Sequence, residues 1–176
     1  MPSSKSQTFA RIGAAMMLAL LFSVGGSRAL AQLAPFAPAG QHFTIPIPPN
    51  PAETDSTAYG NSLRTWTVTD GDFLYIVTHA VSGGAAFTEN QLAGDMNDFI
   101  KATNATLLGE QSISWPSPSG AARALRFSFR LPNGLVGKGV FVVDGQLGYG
   151  DAIIDRHQGS QSPFLDQYVS SLTILP

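Results

Sequence analysis

Few residues in this sequence are of a type that could do chemistry. No cysteine occurs, which removes disulfides, thiolate metal sites and cysteine nucleophiles from consideration. Three histidines remain, His42, His79 and His157. His157 follows Asp151 and Asp155, and in a continuing strand residues 151, 153, 155 and 157 would share a face. That makes Asp155 and His157 the candidate metal ligands. At about 3.3 Å per residue Asp151 and Asp155 stand roughly 13 Å apart, too far to share an ion whose ligands sit about 2 Å from it. Asp155 and His157 would therefore need donors from elsewhere, and a solvated strand end before the loop QGSQS is the simpler account. His79 shares a strand face with Tyr75 and Val77, the setting of a neutral core imidazole or, alternatively, of a functional group in a pocket between helix and sheet. His42 opens a strand, and nothing in its surroundings gives it a role.

The motifs of known chemistries are missing or misplaced. No G-x-S-x-G elbow occurs, and Ser117 and Ser119 lie in SPSG between two strands rather than between strand and helix. There is no H-E-x-x-H, no P-loop and no G-x-G-x-x-G opening a helix. Gly137 and Gly139 fall inside a strand, where glycine lets a neighbouring element approach closely. Trp66 and Tyr149 could belong to a ligand face, with core packing as the plainer reading. The expectation is an absence of catalytic residues, cofactor and metal, and a protein that is not an enzyme.

The N-terminus places Lys5 and Arg11 before an apolar stretch from about Ile12 to Val24, then Ala29-Leu30-Ala31. This is the order of a secretory signal peptide, with cleavage expected between Ala31 and Gln32. The apolar run is broken by Gly25, Gly26 and Arg28, short of the roughly 20 residues that span a bilayer. The expected mature chain is a periplasmic or secreted protein without a membrane anchor, a monomer or weak oligomer. Three of the ten basic residues lie in the signal, leaving seven against twelve acidic ones and a formal charge of −5. Such a balance argues against nucleic-acid binding.

These groups have to be positioned by an antiparallel sheet. Residues 122 to 155 read as a three-strand meander in which Leu125, Phe127, Phe129 and Leu131 alternate with Arg126, Ser128 and Arg130. Asn133-Gly134 and Asp144-Gly145 are expected at the centres of type I′ turns. Residues 63 to 69 and 73 to 81 form a further hairpin about Asp70-Gly71, and the second arm is apolar on both faces, which places it centrally under covering layers. A helix is expected from about 89 to 103, opened by a Thr88 and Gln91 capping box, with Leu92, Met96, Phe99, Ile100 and Thr103 on its packed side. Residues 107 to 115 read as one more strand. A second helix begins with Ser162 as N-cap and Pro163 at its first position, with Phe164, Leu165, Tyr168, Val169 and Leu172 as its stripe. Residues 32 to 40 read as a flexible leader, 42 to 47 as a proline-limited edge strand and 49 to 61 as a loop. The sum is a single α+β domain over 41 to 176, with a mostly antiparallel sheet of about seven strands and helices packed on it.

The start F-x-I-x-x-P (Phe43, Ile45, Pro48), the helix after the first hairpin, the meander and the ending with Phe164, Leu165, Ser171, Leu172 and Ile174 together resemble the PsbP-like family. That family is named for a lumenal photosystem II subunit, and a Ran-binding import factor shares its fold. The resemblance implies an α/β/α sandwich and a non-catalytic role in binding or assembling a partner complex, with an unknown protein as partner. The alternative is a periplasmic carrier of a small ligand or metal, or an enzyme with a pocket between helix and sheet.

Overall fold

The computed structural model describes residues 33–58, 60–156 and 163–176. The signal segment 1–31, the Ala31–Gln32 cleavage site, His157 and the Ser162 cap lie outside the described residues. In chain order the strands are β1 (Ala34–Phe36), β2 (Phe43–Ile47), β3 (Ala52–Ala58), β4 (Asn61–Asp70), β5 (Phe73–Ser82), β6 (Thr106–Ser117), β7 (Gly120–Arg130), β8 (Val136–Asp144), β9 (Leu147–Asp155) and β10 (Thr173–Ile174). Helix α1 (Glu89–Ala102) follows β5, and α2 (Pro163–Val169) follows β9. Seven strands make one antiparallel sheet in the order β3-β4-β5-β9-β8-β7-β6, and β1-β2-β10 make a small second sheet.

The double-sided pattern of β5 decides what packs where. Phe73, Tyr75 and Val77 enter one apolar cluster with Phe43, Ile45 and Ile47 of β2 and Phe164, Leu165, Tyr168 and Val169 of α2. Leu74, Ile76 and Ala80 enter another with Leu92, Met96 and Phe99 of α1. The two helices thus serve different faces of the large sheet. Helix α1 begins as its sequence dictates, with Gln91 Oε1 accepting the Thr88 backbone N–H at 2.6 Å. Its Phe99 meets Phe127 and Phe129 edge to face at 5.5 and 5.1 Å.

Several segments differ from the sequence reading, each for a physical reason. Residues 52–58 form a seven-residue strand rather than a loop. At the margin of a sheet a strand needs no apolar face, and the polar chain AETDSTA pairs in register with β4 from Ala52↔Thr67 to Ala58↔Asn61. The leader residues 34–36 are extended but paired, with Phe36 opposite Ile45 and Leu33 buried. Strand β2 is the middle strand of its sheet, not an edge. Strand β10 pairs only with Phe43 and Thr44, so Pro46 faces β1 alone, opposite Pro35. The second helix stops at Val169, and Leu172 leads into β10.

The hairpin turns also depart from type I′. Asp144 pairs with Leu147, which puts Gly145 and Gln146 at the centre, and of these two only Gly145 has positive φ, +63°. Those are the φ signs of a type II′ turn. Between β7 and β8, Leu131 donates its N–H to the Leu135 carbonyl and Gly134 donates to the Leu131 carbonyl. This is a three-residue loop in which Pro132, whose ring fixes a negative φ, leads the turn, and Gly134 takes the left-handed position at +87°. Proline ahead of Asn-Gly rules out the two-residue turn.

Gly139 is tightly packed on the α1 face. A Cβ there would stand 2.6 Å from the Phe127 ring and 2.9 Å from the Asp151 carbonyl oxygen. Gly137 receives the Phe129 ring in the same way. The glycines in β8 are thus needed for two phenylalanine rings, not for an approaching helix backbone. We expect Gly139→Ala to cost about 1 to 3 kcal/mol through overpacking and Phe127→Ala about 3 to 5 kcal/mol through the cavity it leaves. Urea denaturation measures both, and a Gly139→Ala midpoint equal to wild type would contradict this packing.

Candidate functional site

A cross-strand row brings polar groups together on the face of the sheet that carries the small second sheet. Asp55 pairs with Arg64, Arg64 with His79, and His79 with Tyr149, on β3, β4, β5 and β9 in turn. Directly opposite residues on neighbouring strands point to the same face, so the four side chains form a line. Arg64 Nε donates to Asp55 Oδ1 at 2.8 Å and lies 3.2 Å from Glu53 Oε1. Glu53 in turn accepts the Trp66 indole N–H at 2.8 Å.

His79 lies toward the buried end of this row, beside Tyr149. It is 6% exposed, stacks on Phe43 with ring centres 5.9 Å apart, and lies 5.2 Å from the Tyr149 ring. Its Nε2 has no hydrogen-bond partner. Burial pushes its pKa down to about 4, and electrostatic repulsion, chiefly from Arg64, acts in the same direction. Burial pushes the Tyr149 hydroxyl up to about 12, with Asp144 adding to the effect. At neutral pH both rings are uncharged. A histidine so depressed is poorly matched to general acid or base work near pH 7.

Above His79 the face opens into a groove of about 440 Å³ lined chiefly by Gln41, Asp55, Thr57, Ser62, Arg64 and His79. The lining offers an amide, hydroxyls, one ion pair and the edge of an imidazole. Val81, 38% exposed, adds an apolar wall.

The other sequence candidates stand elsewhere. Asp155 is not at a solvated strand end: it is 1% exposed, because β5 and β8 flank β9 to its last residue, with Phe73 and Val136 as the register partners of Asp155. Its proposed companion His157 lies outside the described residues. Among the described residues no group of three or more His, Cys, Asp or Glu is arranged to hold a metal ion. Trp66 and Tyr149 are each buried to 1% exposure and belong to the core rather than to a ligand face. Ser117 and Ser119 both donate their hydroxyls to Asp144, which ties the β6–β7 turn to the β8–β9 turn. His42 Nδ1 lies 2.9 Å from the Pro176 carbonyl oxygen, and the Leu175 N–H donates to the His42 carbonyl. His42 thus anchors the residues after β10 beside β2.

Two participants were not visible in the sequence. Asp55 fell in a stretch of loop composition, so its register opposite Arg64 could not be read. Arg64 shares a face with Trp66 and alternates with Thr65 in a strand pattern, a signal for its face but not for its partner.

This arrangement of strands and helices is an α+β domain with the PsbP-like fold. It is similar to the solution structure of cyanobacterial PsbP (CyanoP) from Synechocystis sp. PCC 6803, with a TM-score of 0.55, 12% identity, and coverage of 88% of this chain and 98% of that one. No family model matches the sequence, and no curated protein does so. The likeness resides in the backbone arrangement.

The depressed pKa of His79 carries a stability consequence. The folded protein favours the neutral ring, so its contribution is fully present above the ordinary value of 6.5 and is lost as pH falls through 6.5 toward about 4. We expect His79→Phe, which keeps the aromatic stack, to flatten this acid limb. Wild type should lose on the order of 2 kcal/mol more than the variant between pH 7 and pH 4. Urea titrations at a series of pH values measure the difference, and parallel curves would contradict the assignment.

Proposed function

We propose that this protein is an exported, non-catalytic accessory or binding module, acting in the periplasm or outside the cell. The observation that carries this reading is the PsbP-like fold across nearly the whole of the compared structure; the sequence resemblance implies a binding role for that fold. Two clusters on opposite faces of the sheet, one beneath each helix, support an α/β/α sandwich as the architecture. The uncharged state of His79 at neutral pH supports a site that recognises rather than reacts. No helix among the described residues is long and apolar enough to cross a membrane.

A second reading, a carrier of a small ligand, has its own support. Val81 and Leu108 are the large apolar residues exposed among those described, and they stand singly rather than as a patch. The groove beside His79, by contrast, is concave and gathers polar groups. In both readings the Asp55, Arg64 and His79 row is the surface of contact.

The test is affinity capture of the protein from its native extract, with wild type and an Arg64→Ala variant in parallel and bound proteins identified by mass spectrometry. A stoichiometric partner retained by wild type and lost at least tenfold by the variant is the expected result, since removing one member of a hydrogen-bonded charge pair costs roughly 2 kcal/mol or more at an interface. A partner held equally by both would move the contact surface away from the groove. Thermal stabilisation by a small molecule from the same extract, with no protein captured, would favour the carrier.

A further inference from the structure

The least expected group in the molecule is Asp151. It is 1% exposed, and neither carboxylate oxygen has a hydrogen-bond partner. A buried polar group without a partner costs free energy, and a buried charge costs more. Its surroundings are defined by the sheet register. Asp151 lies between Val77 of β5 and Val140 of β8, and Val140 lies beside Arg126 of β7. Two strand spacings, about 10 Å between backbones, separate Asp151 from Arg126, a distance the long arginine side chain can largely cover.

Helix α2 covers this row. It is held to the sheet by Lys138 Nζ donating to Asp166 at 2.5 Å, by Arg126 Nη2 donating to Ser170 Oγ at 2.9 Å just beyond its last turn, and by ring contacts of Phe164 with Phe73 and Tyr168 with Tyr75. The Tyr168 hydroxyl is buried without a hydrogen-bond partner. The titratable and charged groups that face Asp151 are Arg126 from β7, Tyr168 from α2 and Tyr75 from β5, with Tyr149 two residues away on β9 and its neighbour His79 beyond. Lys138 of β8 is engaged by Asp166. Among the described residues Arg126 is the cation set to answer a charge on Asp151, and its Nε is buried and unpartnered. The same guanidinium stacks over the Trp115 ring at 5.4 Å.

We infer that Asp151, Arg126 and Ser170 form a proton-controlled latch on α2. With its proton in place Asp151 is neutral, and Arg126 reaches outward to hold Ser170. When Asp151 loses the proton, the guanidinium turns inward to the carboxylate, the tie to Ser170 breaks, and α2 loosens from the face formed by Phe73, Tyr75 and Ile153.

The direction of the pH dependence follows from burial, which raises the Asp151 pKa well above the ordinary carboxylate value, with Arg126 pulling it partly back. In the closed form the proton is held; with α2 open the carboxyl meets water and titrates in its usual range. Opening therefore releases a proton at any pH between those two values, and the opening constant rises about tenfold per pH unit across that window. The latch is tightest in acid and loosens as pH rises.

Hydrogen exchange of the α2 amides, residues 164 to 170, against pH tests this in the purified protein, after correction for the intrinsic pH dependence of exchange. In wild type, protection should fall about tenfold per pH unit above the ordinary carboxylate range, while β7 and β8 stay protected. Asp151→Asn, of the same shape and without a titrating proton, should hold α2 protection level. Ser170→Ala should lower protection at acidic pH and shrink the pH response. A wild-type profile that is flat, or one that Asp151→Asn reproduces, would overturn the latch. So would simultaneous loss of protection in β7 and β8, since that would be global unfolding.

Discussion

The burial of β5 on both faces is the constraint from which the rest of the structure follows. Leu74, Ile76 and Ala80 point one way and Phe73, Tyr75, Val77 and His79 the other, and the strand is buried almost throughout. A strand of this kind cannot sit at a margin, so β4 and β9 must flank it, and neither face can be left to water. Helix α1 satisfies one face. The other needs more cover than the seven residues of α2 provide, and the small sheet β1-β2-β10 supplies it, bringing Phe43 onto His79 and Tyr149. The polar groove is a by-product of this division, because the second sheet reaches β4 at Trp66, where Phe36 and Phe43 pack, and Asp55 and Arg64 are left lining the groove.

The same face carries two costly polar features, His79 and Asp151. His79 is tolerated as a neutral ring among aromatic neighbours, while Asp151 sits two residues along β9 from the Tyr149 that His79 touches. A core built only for stability would place apolar residues at both positions, since a buried group lacking a partner costs more than an apolar replacement. Both lie on the face covered by α2 and the small sheet, the face onto which the polar groove opens. The α1 face is occupied instead by interlocked phenylalanines and the glycines that admit them.

How much of this could be read from the residues depended on whether a signal was local. The alternation of Leu125, Phe127 and Phe129, the capping box of Thr88 and Gln91 and the double-sided pattern of β5 are properties of single segments, and each element stands where its pattern placed it. Strand β3 was illegible because an edge strand exposed to solvent carries the composition of a loop. Strand β2 was misjudged because a proline forbids only the neighbour it faces, and which neighbour that is depends on β1 and β10. The turn about Asn133 shows that one residue, Pro132, outweighs a dipeptide preference. The groove was beyond reach for a further reason: Asp55, Arg64 and His79 meet through register between three strands, and the burial of Asp151 depends on β5, β8 and α2 at once.

The central claim is that β5 is enclosed on both faces. Amide hydrogen exchange of the whole protein at one pH tests it most directly. The account predicts that the amides of Tyr75 to Thr78 are among the slowest to exchange, slower by orders of magnitude than those of β3 at the sheet edge, because only global unfolding exposes them. Exchange in β5 as fast as in β3 would contradict it, and would mean that one of the two covering layers does not close over the sheet.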